Sequence, residues 1–563
     1  MAQRKYLILL LLLIVFSGSA YAAAWLDTDM GNISKEEVTI TGPGYNIRGT
    51  LYAPKGLTGK TPAIALAHGI SNSKEVLSGV ALELARNGYV ALTIDEKGHG
   101  ESDPGVGVTD PTLGLGSAVA YLASLHYVDA NRIGVGGHSM GAGAVRAVVS
   151  TDTRIAASIF IGGGTGDGET YPPLTTTSPK NLLFIVGRND VLFDLDSLDI
   201  SLRLAFGATE AIVPGEVYGE FGDGTARKLV VLQAIHLVEP LDPATAEEIV
   251  DWANRSLNPQ VSYPMPVKPQ TYLVREALMG VSLIAFVAIV GPVSQIVNDF
   301  LPGGPRDPPQ VRHRFLRERS VLVLWSLLGL VLYLPAMFLG TIIVFPPLIF
   351  GSSMAWWLLT TGVVGLVILL VAASRQPKGN VDILGYLRES FRVRDAALGL
   401  VVAGILYAMA YVSYALFTEK IRFIVPIFPP LTPSRAGVFP LFIPFYLVYF
   451  VSEGLYIHVY RQRQTAGSAA GNAARTILLK LAPYLALLTI QYLPMFVFDY
   501  RLLPGFLGFF IEFIWAIIPL FVVSTFVSWW LYRYTGRIWA GVLLNALMFA
   551  WASAGLFPFT AFR

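Results

Sequence analysis

The chain of 563 residues contains no cysteine. Disulfide bonds, thiolate catalysis and cysteine-bound zinc are therefore excluded. Charged residues are scarce, at 14%, whereas hydrophobic residues make up 53%, a balance that indicates membrane content. Because no basic cluster accompanies a recognition motif, we expect no nucleic-acid partner. We also predict no metal and no cofactor.

The apolar residues are unevenly distributed, and a chain of this length exceeds what one hydrophobic core usually organises. We predict a signal peptide or signal anchor at 1–26, an α/β domain at 27–257 and an all-α polytopic membrane domain at 271–563. Residues 258–270 contain four prolines, which predicts an extended linker between the two domains.

The N-terminus has the pattern of a secretory signal. Two basic residues precede the apolar run 6–16, and small residues follow, with Ala20-Tyr21-Ala22 as a candidate cleavage site. The alternative is an uncleaved signal anchor, because residues 6–26 could just span a bilayer. Cleavage is slightly favoured. In both cases the domain that follows is exported.

Eight apolar segments follow the linker. Each is about 20 residues or longer, which is enough to cross ~30 Å of hydrocarbon. They predict eight membrane helices, at 272–297, 320–343, 354–374, 396–417, 440–460, 481–498, 506–532 and 538–557.

Basic residues are placed asymmetrically in the loops between these segments. If residue 270 lies outside, the inside loops contain Arg306, Arg312, Arg314, Arg317, Arg319, Arg375, Lys378, Arg388, Arg392, Arg394, Arg461, Arg463, Arg475, Lys480, Arg533 and Arg537. The outside loops contain only Lys420, Arg422, Arg435 and Arg501. The positive-inside rule therefore predicts a multi-pass protein of the cell membrane with an extracytoplasmic α/β domain.

Short apolar runs alternate with helical patterns in the first half of the chain. Strands are predicted at 63–67, 89–94, 132–136, 155–161, 181–186 and 228–232, and helices at 76–87, 113–125, 140–150, 194–206 and 245–257. This alternation predicts a largely parallel sheet with helices on both faces. Active sites of such sheets lie outside the carboxyl ends of the strands.

Residues 137–141, Gly-His-Ser-Met-Gly, match the pattern G-x-S-x-G between a predicted strand and a predicted helix, which is the context that the motif requires. A serine on this sharp turn exposes its hydroxyl at the helix N-terminus, and the flanking glycines let strand and helix approach closely. Ser139 is therefore the candidate nucleophile. The alternative is a Gly/Ser-rich turn without chemistry.

Residues from about 35 to 257 resemble an α/β hydrolase, in particular the dienelactone-hydrolase-like and small-esterase members. Five segments carry the resemblance, in the family's order: Ala67-His68-Gly69, the run 95–102 (DEKGHGES), the motif at 137–141, Gly187-Arg188-Asn189-Asp190, and His236. The resemblance implies a serine hydrolase whose nucleophile, acid and base follow one another along the chain.

A serine hydroxyl needs a base to remove its proton. Only His236 lies beyond the last predicted strand with room for a loop back to Ser139, so it is assigned as general base and then general acid. It could instead be a surface-loop histidine. The resemblance implies Asp190 as the acid that orients this base. Asp194 is its main competitor, or it caps the next helix.

The tetrahedral intermediate of acyl transfer needs two backbone N–H donors. Met140, directly after the nucleophile, is predicted to supply one. Ile70 is predicted to supply the other, with Gly69 as the alternative, because His68-Gly69 resembles the family's oxyanion segment. Only 19 residues separate the strands at 155–161 and 181–186, too few for a large lid. We therefore expect an open pocket for small or surface-presented substrates. Because the site is tethered near the membrane, the expected substrate is a small-molecule or lipid-like acyl compound.

The stretch 531–539, together with Ser452-Glu453, weakly resembles degenerate intramembrane glutamic proteases of the CAAX-processing type. Only one glutamate is present, Ile457 replaces the arginine, and Asn545 stands where a histidine is expected, which implies a scaffold that has lost proteolysis. The alternative is that the acidic residues pair within the helix bundle. Polar residues inside spans are functional candidates, here Glu453, His458, Glu512 and Asn545.

The sequence thus predicts a membrane-anchored extracytoplasmic serine hydrolase that cleaves an ester or thioester, with amides second, through an acyl-enzyme on Ser139. The lipid bilayer is the expected partner, and the oligomeric state stays open. Two other hypotheses remain. One is a transporter or receptor-like protein whose exported domain only binds ligand, and the other is an enzyme with a second site at Glu453.

Overall fold

The N-terminal region of the computed structural model is built around a nine-stranded sheet. The structure describes residues 2–165, 173–258, 268–302, 320–375, 383–423, 425–461 and 468–560. The strands are β1 (Ile33–Thr41), β2 (Asn46–Pro54), β3 (Thr61–Ala67), β4 (Val90–Asp95), β5 (Val128–His138), β6 (Ile155–Ile161), β7 (Leu182–Gly187), β8 (Val217–Tyr218) and β9 (Arg227–Leu232). All six predicted strands are present; β1, β2 and β8 were not predicted.

The strand order is β1-β2-β4-β3-β5-β6-β7-β9-β8. The neighbours from β4 to β9 pair in parallel, whereas β1, β2 and β8 join antiparallel at the two edges. The predicted mostly parallel sheet is therefore confirmed. Such a sheet aligns the carboxyl ends of β3, β5, β6, β7 and β9 along one edge, and loops from these ends can meet.

Five helices cover the sheet on both faces. They are α2 (Ser78–Arg86), α3 (Leu115–Ser124), α4 (Met140–Val149), α5 (Leu195–Phe206) and α6 (Pro243–Leu257). Helices α3, α4 and α5 share one hydrophobic core, and α2 and α6 share the other. Along β3, Ala63, Ala65 and Ala67 face the first core, whereas Ile64 and Leu66 face the second. A central strand buried on both faces is apolar at every position.

The remaining helices are α1 (Ala2–Asp27), α7 (Tyr272–Phe300), α8 (Ser320–Ile342), α9 (Gly351–Ser374), α10 (Ile383–Ser390), α11 (Val393–Phe417), α12 (Pro433–Arg461), α13 (Ala469–Phe498), α14 (Gly505–Thr535) and α15 (Trp539–Leu556). Two-residue strands β10 (Arg422–Phe423) and β11 (Val425–Pro426) follow α11. Within the described ranges, nine helices are long and apolar enough to cross a membrane. They are the eight predicted helices and α1. Most of the predicted linker lies outside the described residues.

Helix α1 continues through the predicted cleavage site and packs along α7. Phe16 is buried in the same core as the apolar residues of α7. At the end of α1, the buried Asp27 carboxylate contacts the Arg275 guanidinium and lies 2.6 Å from Nζ of Lys35. These contacts tie α1 to both α7 and β1. The choice between a cleaved signal peptide and a signal anchor stays a prediction.

The α/β domain rests on one end of the helix bundle. Lys420, in the loop after α11, lies 2.5 Å from the Glu75 carboxylate and 2.8 Å from that of Glu101. Arg501, between α13 and α14, lies 2.7 Å from Asp194. Both basic residues belong to loops that were predicted to lie outside. The α/β domain and these loops are therefore on the same side of the bundle.

Arg435, at the start of α12, links the two parts through backbone groups. Its guanidinium donates to the carbonyl oxygens of Ala554 at 2.7 Å and Phe557 at 3.0 Å, and also to those of Gly98 and Gly100. Only 1% of Arg435 is exposed. The segment 95–102 of the resemblance thus serves to dock the α/β domain on the bundle.

Replacing Arg435 with methionine is expected to lower the thermal midpoint of the full-length protein in detergent by several degrees. The change leaves buried carbonyl groups unpaired, which costs about 3 kcal/mol or more in total. Thermal unfolding followed by intrinsic fluorescence measures the shift. Arg188→Met is the matched control, because Arg188 pairs with Asp499 across the same interface at 2.7 Å with half-exposed side chains. Equal midpoints for the two variants would contradict the assigned role of Arg435.

Candidate active site

Ser139 lies on a sharp turn between β5, which ends at His138, and α4, which begins at Met140. Its backbone has φ 54° and ψ −114°, a conformation that costs a non-glycine residue free energy and is found mainly at functional sites. A Cβ atom at Gly141 would overlap the carbonyl group of Ala67. Glycine at this position therefore lets α4 start directly against β3, as the motif predicts.

Loops from β7 and β9 bring two further predicted residues to this turn. Nε2 of His236 lies 2.9 Å from Oγ of Ser139, and Nδ1 of His236 lies 2.8 Å from Oδ2 of Asp190. His236 is 1% exposed and Asp190 is fully buried. The structure thus joins the three side chains in one hydrogen-bonded chain, although they are far apart in sequence.

The Asp190 carboxylate is held by backbone donors as well as by the imidazole. Its Oδ1 accepts from the N–H groups of Leu192 at 2.7 Å and Phe193 at 3.0 Å. Burial by itself raises the pKa of Asp190, but His236 and these N–H groups outweigh it, and the pKa lies below the usual value. The group is therefore a carboxylate at neutral pH and can stabilise an imidazolium.

Asp194, the competing acid, lies elsewhere. It occupies the N-cap position of α5, but its side chain accepts no capping hydrogen bond. Its carboxylate pairs with Arg501 instead. Neither role that the sequence left open for Asp194, the catalytic acid or the helix cap, is what the structure shows for this side chain.

The predicted oxyanion donors lie beside the nucleophile. A Cβ atom at Gly69 would be only 3.1 Å from Cβ of Ser139, so the loop that contains Ile70 passes directly against the serine. No hydrogen bond within the described residues uses the backbone N–H of Ile70 or Met140. Neither N–H group is therefore committed to a protein acceptor there, as the donors of an oxyanion hole must not be.

His68 fixes this loop through its two ring nitrogens. Nε2 accepts from the backbone N–H of Glu96 at 3.1 Å, and Nδ1 lies 2.7 Å from the carbonyl oxygen of Gly69. Burial lowers the pKa of His68, so the neutral ring donates from Nδ1 and accepts at Nε2. His68 holds the oxyanion loop in place and does not contact the serine.

Glu239 is a fourth residue of the site that sequence reasoning missed. Its Oε1 accepts from the N–H of Gly187 at 2.5 Å, and its Oε2 lies 3.7 Å from Nδ1 of His236. Burial and the neighbouring Asp190 raise the pKa of Glu239 well above its usual value. The raised pKa favours the protonated carboxyl group beside the ionised Asp190. The only sequence signal was its spacing, three residues after His236.

Glutamine at position 239 is expected to leave the activity at pH 7 close to the wild-type value, because an amide reproduces the protonated carboxyl group.

The folded protein keeps a proton on Glu239 that the unfolded chain releases above its usual pKa of 4.5. The contribution of Glu239 to stability is therefore complete below that pH. It falls as the pH rises through the window above it, by ~1.4 kcal/mol per pH unit.

The thermal midpoint of Glu239→Gln should consequently rise relative to that of the wild type as the pH increases from about 6 to about 9. Paired melting curves in one buffer series measure this difference. If the difference in thermal midpoint between the two proteins stayed constant across the pH series, Glu239 would be ionised in the folded protein.

His138, His236 and Glu239 are the group of side chains that could offer donor atoms to a metal ion, all within 4.8 Å of one another among the described residues. Both nitrogens of His236 already have partners in Asp190 and Ser139. Nε2 of His138 lies 3.1 Å from the carbonyl oxygen of His236. These atoms are committed to hydrogen bonds, so the set suits an acid–base site better than a metal centre.

The helix bundle covers the site. The ring of Phe509, in α14, lies 6.0 Å from that of His236, and the N–H of Gly505 donates to the carbonyl oxygen of Val191 at 2.6 Å. Val191 is buried in the same core as the bundle helices. The short insert predicted an open pocket, but the structure does not show one. Residues of α14, more than 300 positions after the insert, cover the site instead. Residues 166–172 of the insert lie outside the described residues.

The polar residues of the bundle pair with one another. Helix α13 begins at Ala469, so Lys480 is a buried helix residue and not part of an inside loop as predicted. Its ammonium contacts the Glu453 carboxylate. Nδ2 of Asn545 donates to the backbone oxygen of Ser524 at 2.9 Å. Pairing of Glu453 within the bundle agrees with the structural alternative, and the CAAX-type resemblance remains a prediction. The side chain of His458 lies outside the described residues.

Glu512 has a different setting from Glu453. It is buried near the start of α14, close to Tyr492 and to the backbone N–H of Leu237. Leu237 directly follows the base, so α14 reaches the loop that positions His236. This contact could not be recognised in the sequence, where the two residues are separated by most of the bundle.

Part of the α/β domain is similar to known hydrolases. Residues 60–189 match the family model Hydrolase_4, described as serine aminopeptidase, S33. The quorum-quenching protein AidA of Acinetobacter baumannii (strain MDR-ZJ06) is 34% identical over 107 residues, which are 18% of this chain and 34% of that protein. The matched segment thus spans about a third of the relative's length.

Two solved structures resemble the α/β domain. The Pyrococcus furiosus esterase Pf2001 has 19% identity and a TM-score of 0.32, with coverage of 41% of this chain and 96% of its own. A cold-adapted esterase from an Arctic intertidal metagenomic library has 19% identity and a TM-score of 0.30, with coverage of 40% and 95%. The N-terminal region therefore has an α/β-hydrolase-like fold, and a region of many apolar helices follows it.

Proposed function

We propose that this protein is a membrane-anchored serine hydrolase that cleaves an ester or thioester, with amides second, through an acyl-enzyme on Ser139. One observation carries the proposal, namely the hydrogen-bonded chain from Oγ of Ser139 through His236 to Asp190. Met140 and Ile70 are the proposed oxyanion donors. The substrate is a small-molecule or lipid-like acyl compound.

Acylation begins when Oγ of Ser139 attacks the carbonyl carbon while Nε2 of His236 takes the hydroxyl proton. The carbonyl oxygen becomes an oxyanion, which the two backbone N–H groups stabilise. The bond to the leaving oxygen or sulfur then breaks, and His236 donates its proton to that atom. Asp190 stays ionised throughout and stabilises the imidazolium.

Deacylation repeats these steps with water as the nucleophile. His236 takes a proton from water, the hydroxyl attacks the acyl carbon, and the bond to Oγ of Ser139 breaks. The proton returns to Oγ, and the carboxylic acid leaves. Each turnover thus consumes one water molecule and restores the serine.

The proposed location of the α/β domain is extracytoplasmic. The domain docks on loops with few basic residues, and two of these residues, Lys420 and Arg501, pair with carboxylates of the domain. In the described part of the chain, the opposite ends of the helices and the loops next to them have many more: Arg375, Arg388, Arg392, Arg394, Arg461, Arg475, Arg533 and Arg537.

A fluorophosphonate probe tests this proposal, because it modifies serines that a neighbouring base activates. We expect the full-length protein in detergent to be labelled on the peptide that contains Ser139, and Ser139→Ala to be unlabelled. Ser150→Ala, at the other end of α4, is the matched control and should be labelled like the wild type. Full labelling of Ser139→Ala would refute the proposal.

A further inference from the structure

A cavity of ≈ 380 Å³ lies between the α/β domain and the helix bundle. On the side of the α/β domain it is lined by Ile70 and Ser71, from the proposed oxyanion loop, and by Ile235 and Leu237, which flank His236. The cavity therefore begins beside the proposed oxyanion loop and beside the residues that flank the base. It extends from there into the bundle.

The bundle side of the cavity is built from helix ends next to the α/β domain. Met337 comes from the end of α8, Met354 from the start of α9, and Ala552 from the end of α15. On α14, the lining extends from Phe513 to Leu520, which is roughly 12–22 Å from the start of that helix at 1.5 Å per residue. At this depth the cavity lies within the hydrocarbon layer that the bundle spans.

Almost all residues that line the cavity are apolar. None of the described residues that line the cavity is charged, and the polar ones are Ser71, Asn72 and Ser553. A charged ligand group would lose its hydration without a partner there, whereas each buried methylene group favours binding by about fourfold. The site therefore selects a hydrocarbon chain.

The cavity also has a route to the bilayer. Trp515 lines it and keeps 45% of its surface exposed, so the opening lies beside α14 on a membrane-facing surface. The volume is near the lower end of the range for small-ligand pockets, which suits one chain. Hydrocarbon chains at this depth and beside this opening are supplied by lipids.

We propose that this cavity binds one acyl chain of a membrane lipid or lipid-like ester from the outer leaflet, with the ester carbonyl at Ser139. The helix bundle then replaces the missing lid of the hydrolase and sets its chain-length preference. This inference rests on the proposed function for the reaction, but chain binding itself can be measured without turnover.

The first experiment compares p-nitrophenyl acetate with p-nitrophenyl laurate on the full-length protein at one detergent concentration. In Ala516→Trp the larger side chain fills the cavity from α14. We expect kcat/KM for laurate to fall at least about tenfold, and kcat/KM for acetate to stay within about twofold. Ala552→Leu should give the same pattern. Ala408→Trp is the matched control, because Ala408 is an exposed residue of α11 that does not line the cavity.

The result is the ratio of kcat/KM for laurate to kcat/KM for acetate in each variant. An unchanged ratio in both cavity variants, or an equal change in Ala408→Trp, would overturn the inference. Hydrolysis of acetate but not laurate by the wild type would also overturn it and leave the proposed function intact. Loss of both activities only in Ser139→Ala supports the proposed function separately.

The second experiment measures binding alone. Full-length Ser139→Ala in lipid nanodiscs is exposed to a laurate ester that carries a photoreactive group at the chain end. We expect cross-links to peptides of α14 or α15 that contain residues 513–520 or 552–557, reduced at least about tenfold by Ala516→Trp. Cross-links confined to the outer surface of the bundle, unaffected by this change, would overturn the inference even if no ester is hydrolysed.

Discussion

Ser139→Ala is expected to lower kcat for a short p-nitrophenyl ester by about 10⁶-fold. The hydroxyl is the atom that forms the acyl-enzyme, and the described residues place no other hydroxyl against Nε2 of His236. Water must then attack the ester directly, and the remaining rate comes from the oxyanion donors and substrate binding. Initial rates per mole of folded protein measure the loss.

Two controls make this result specific. Ser150→Ala removes an exposed hydroxyl from the same helix and should keep the wild-type rate. The double variant Ser139→Ala/His236→Ala should be no slower than Ser139→Ala alone, because groups that act as one unit are not additive. A further large loss in the double variant would mean that His236 serves another nucleophile.

The parallel sheet, the nucleophile turn and the eight bundle helices could be predicted because each depends on local sequence. Strands buried on both faces are continuous apolar runs, such as 155–161, and helices that cross a bilayer are apolar for about 20 residues. The turn at Ser139 needs glycine at position 141, because α4 starts against Ala67. These requirements act over a few residues, so the sequence pattern records them.

Pairing between distant residues was harder to predict. His236 was assigned by elimination and Asp190 by its place in the family's order, and the structure brings both to Ser139. Glu239 was missed because the burial of one carboxyl group beside another has no local sequence pattern. Phe509 was missed because the cover comes from a different part of the chain.

The membrane region shows the same limit. Lys480 was predicted to lie in a loop, because charged residues usually mark the end of an apolar span. In the structure it continues α13 and pairs with Glu453 in the bundle. An ion pair lets a helix contain a buried lysine without the cost of an isolated charge. Hydropathy averages one segment at a time and does not record a partner on another helix.

Asp190→Asn is expected to lower kcat by about 10⁴-fold. The amide can donate to Nδ1 of His236, which places the ring proton on Nε2 and removes the acceptor that Ser139 needs. The 2.8 Å contact and the geometry around the carboxylate would otherwise be kept. Rates with a short ester at pH 7, with folding checked by thermal melting, measure this loss.

Two matched substitutions separate Asp190 from the other carboxyl groups near the base. Asp194→Asn should keep close to the wild-type rate, because Asp194 pairs with Arg501. Glu239→Gln should do the same, because the Glu239 carboxyl group is already protonated. A near wild-type rate in Asp190→Asn, with a large loss in either of the others, would transfer the acid's role to that residue.

The loss in Asp190→Asn should appear in kcat and leave KM nearly unchanged, because Asp190 is buried behind His236 and does not reach the cavity. Interactions made only in the transition state change kcat, whereas uniform substrate binding changes KM. The imidazolium that Asp190 stabilises exists only as the proton leaves Ser139. A rise in KM of the same size as the fall in kcat/KM would instead place Asp190 in substrate binding.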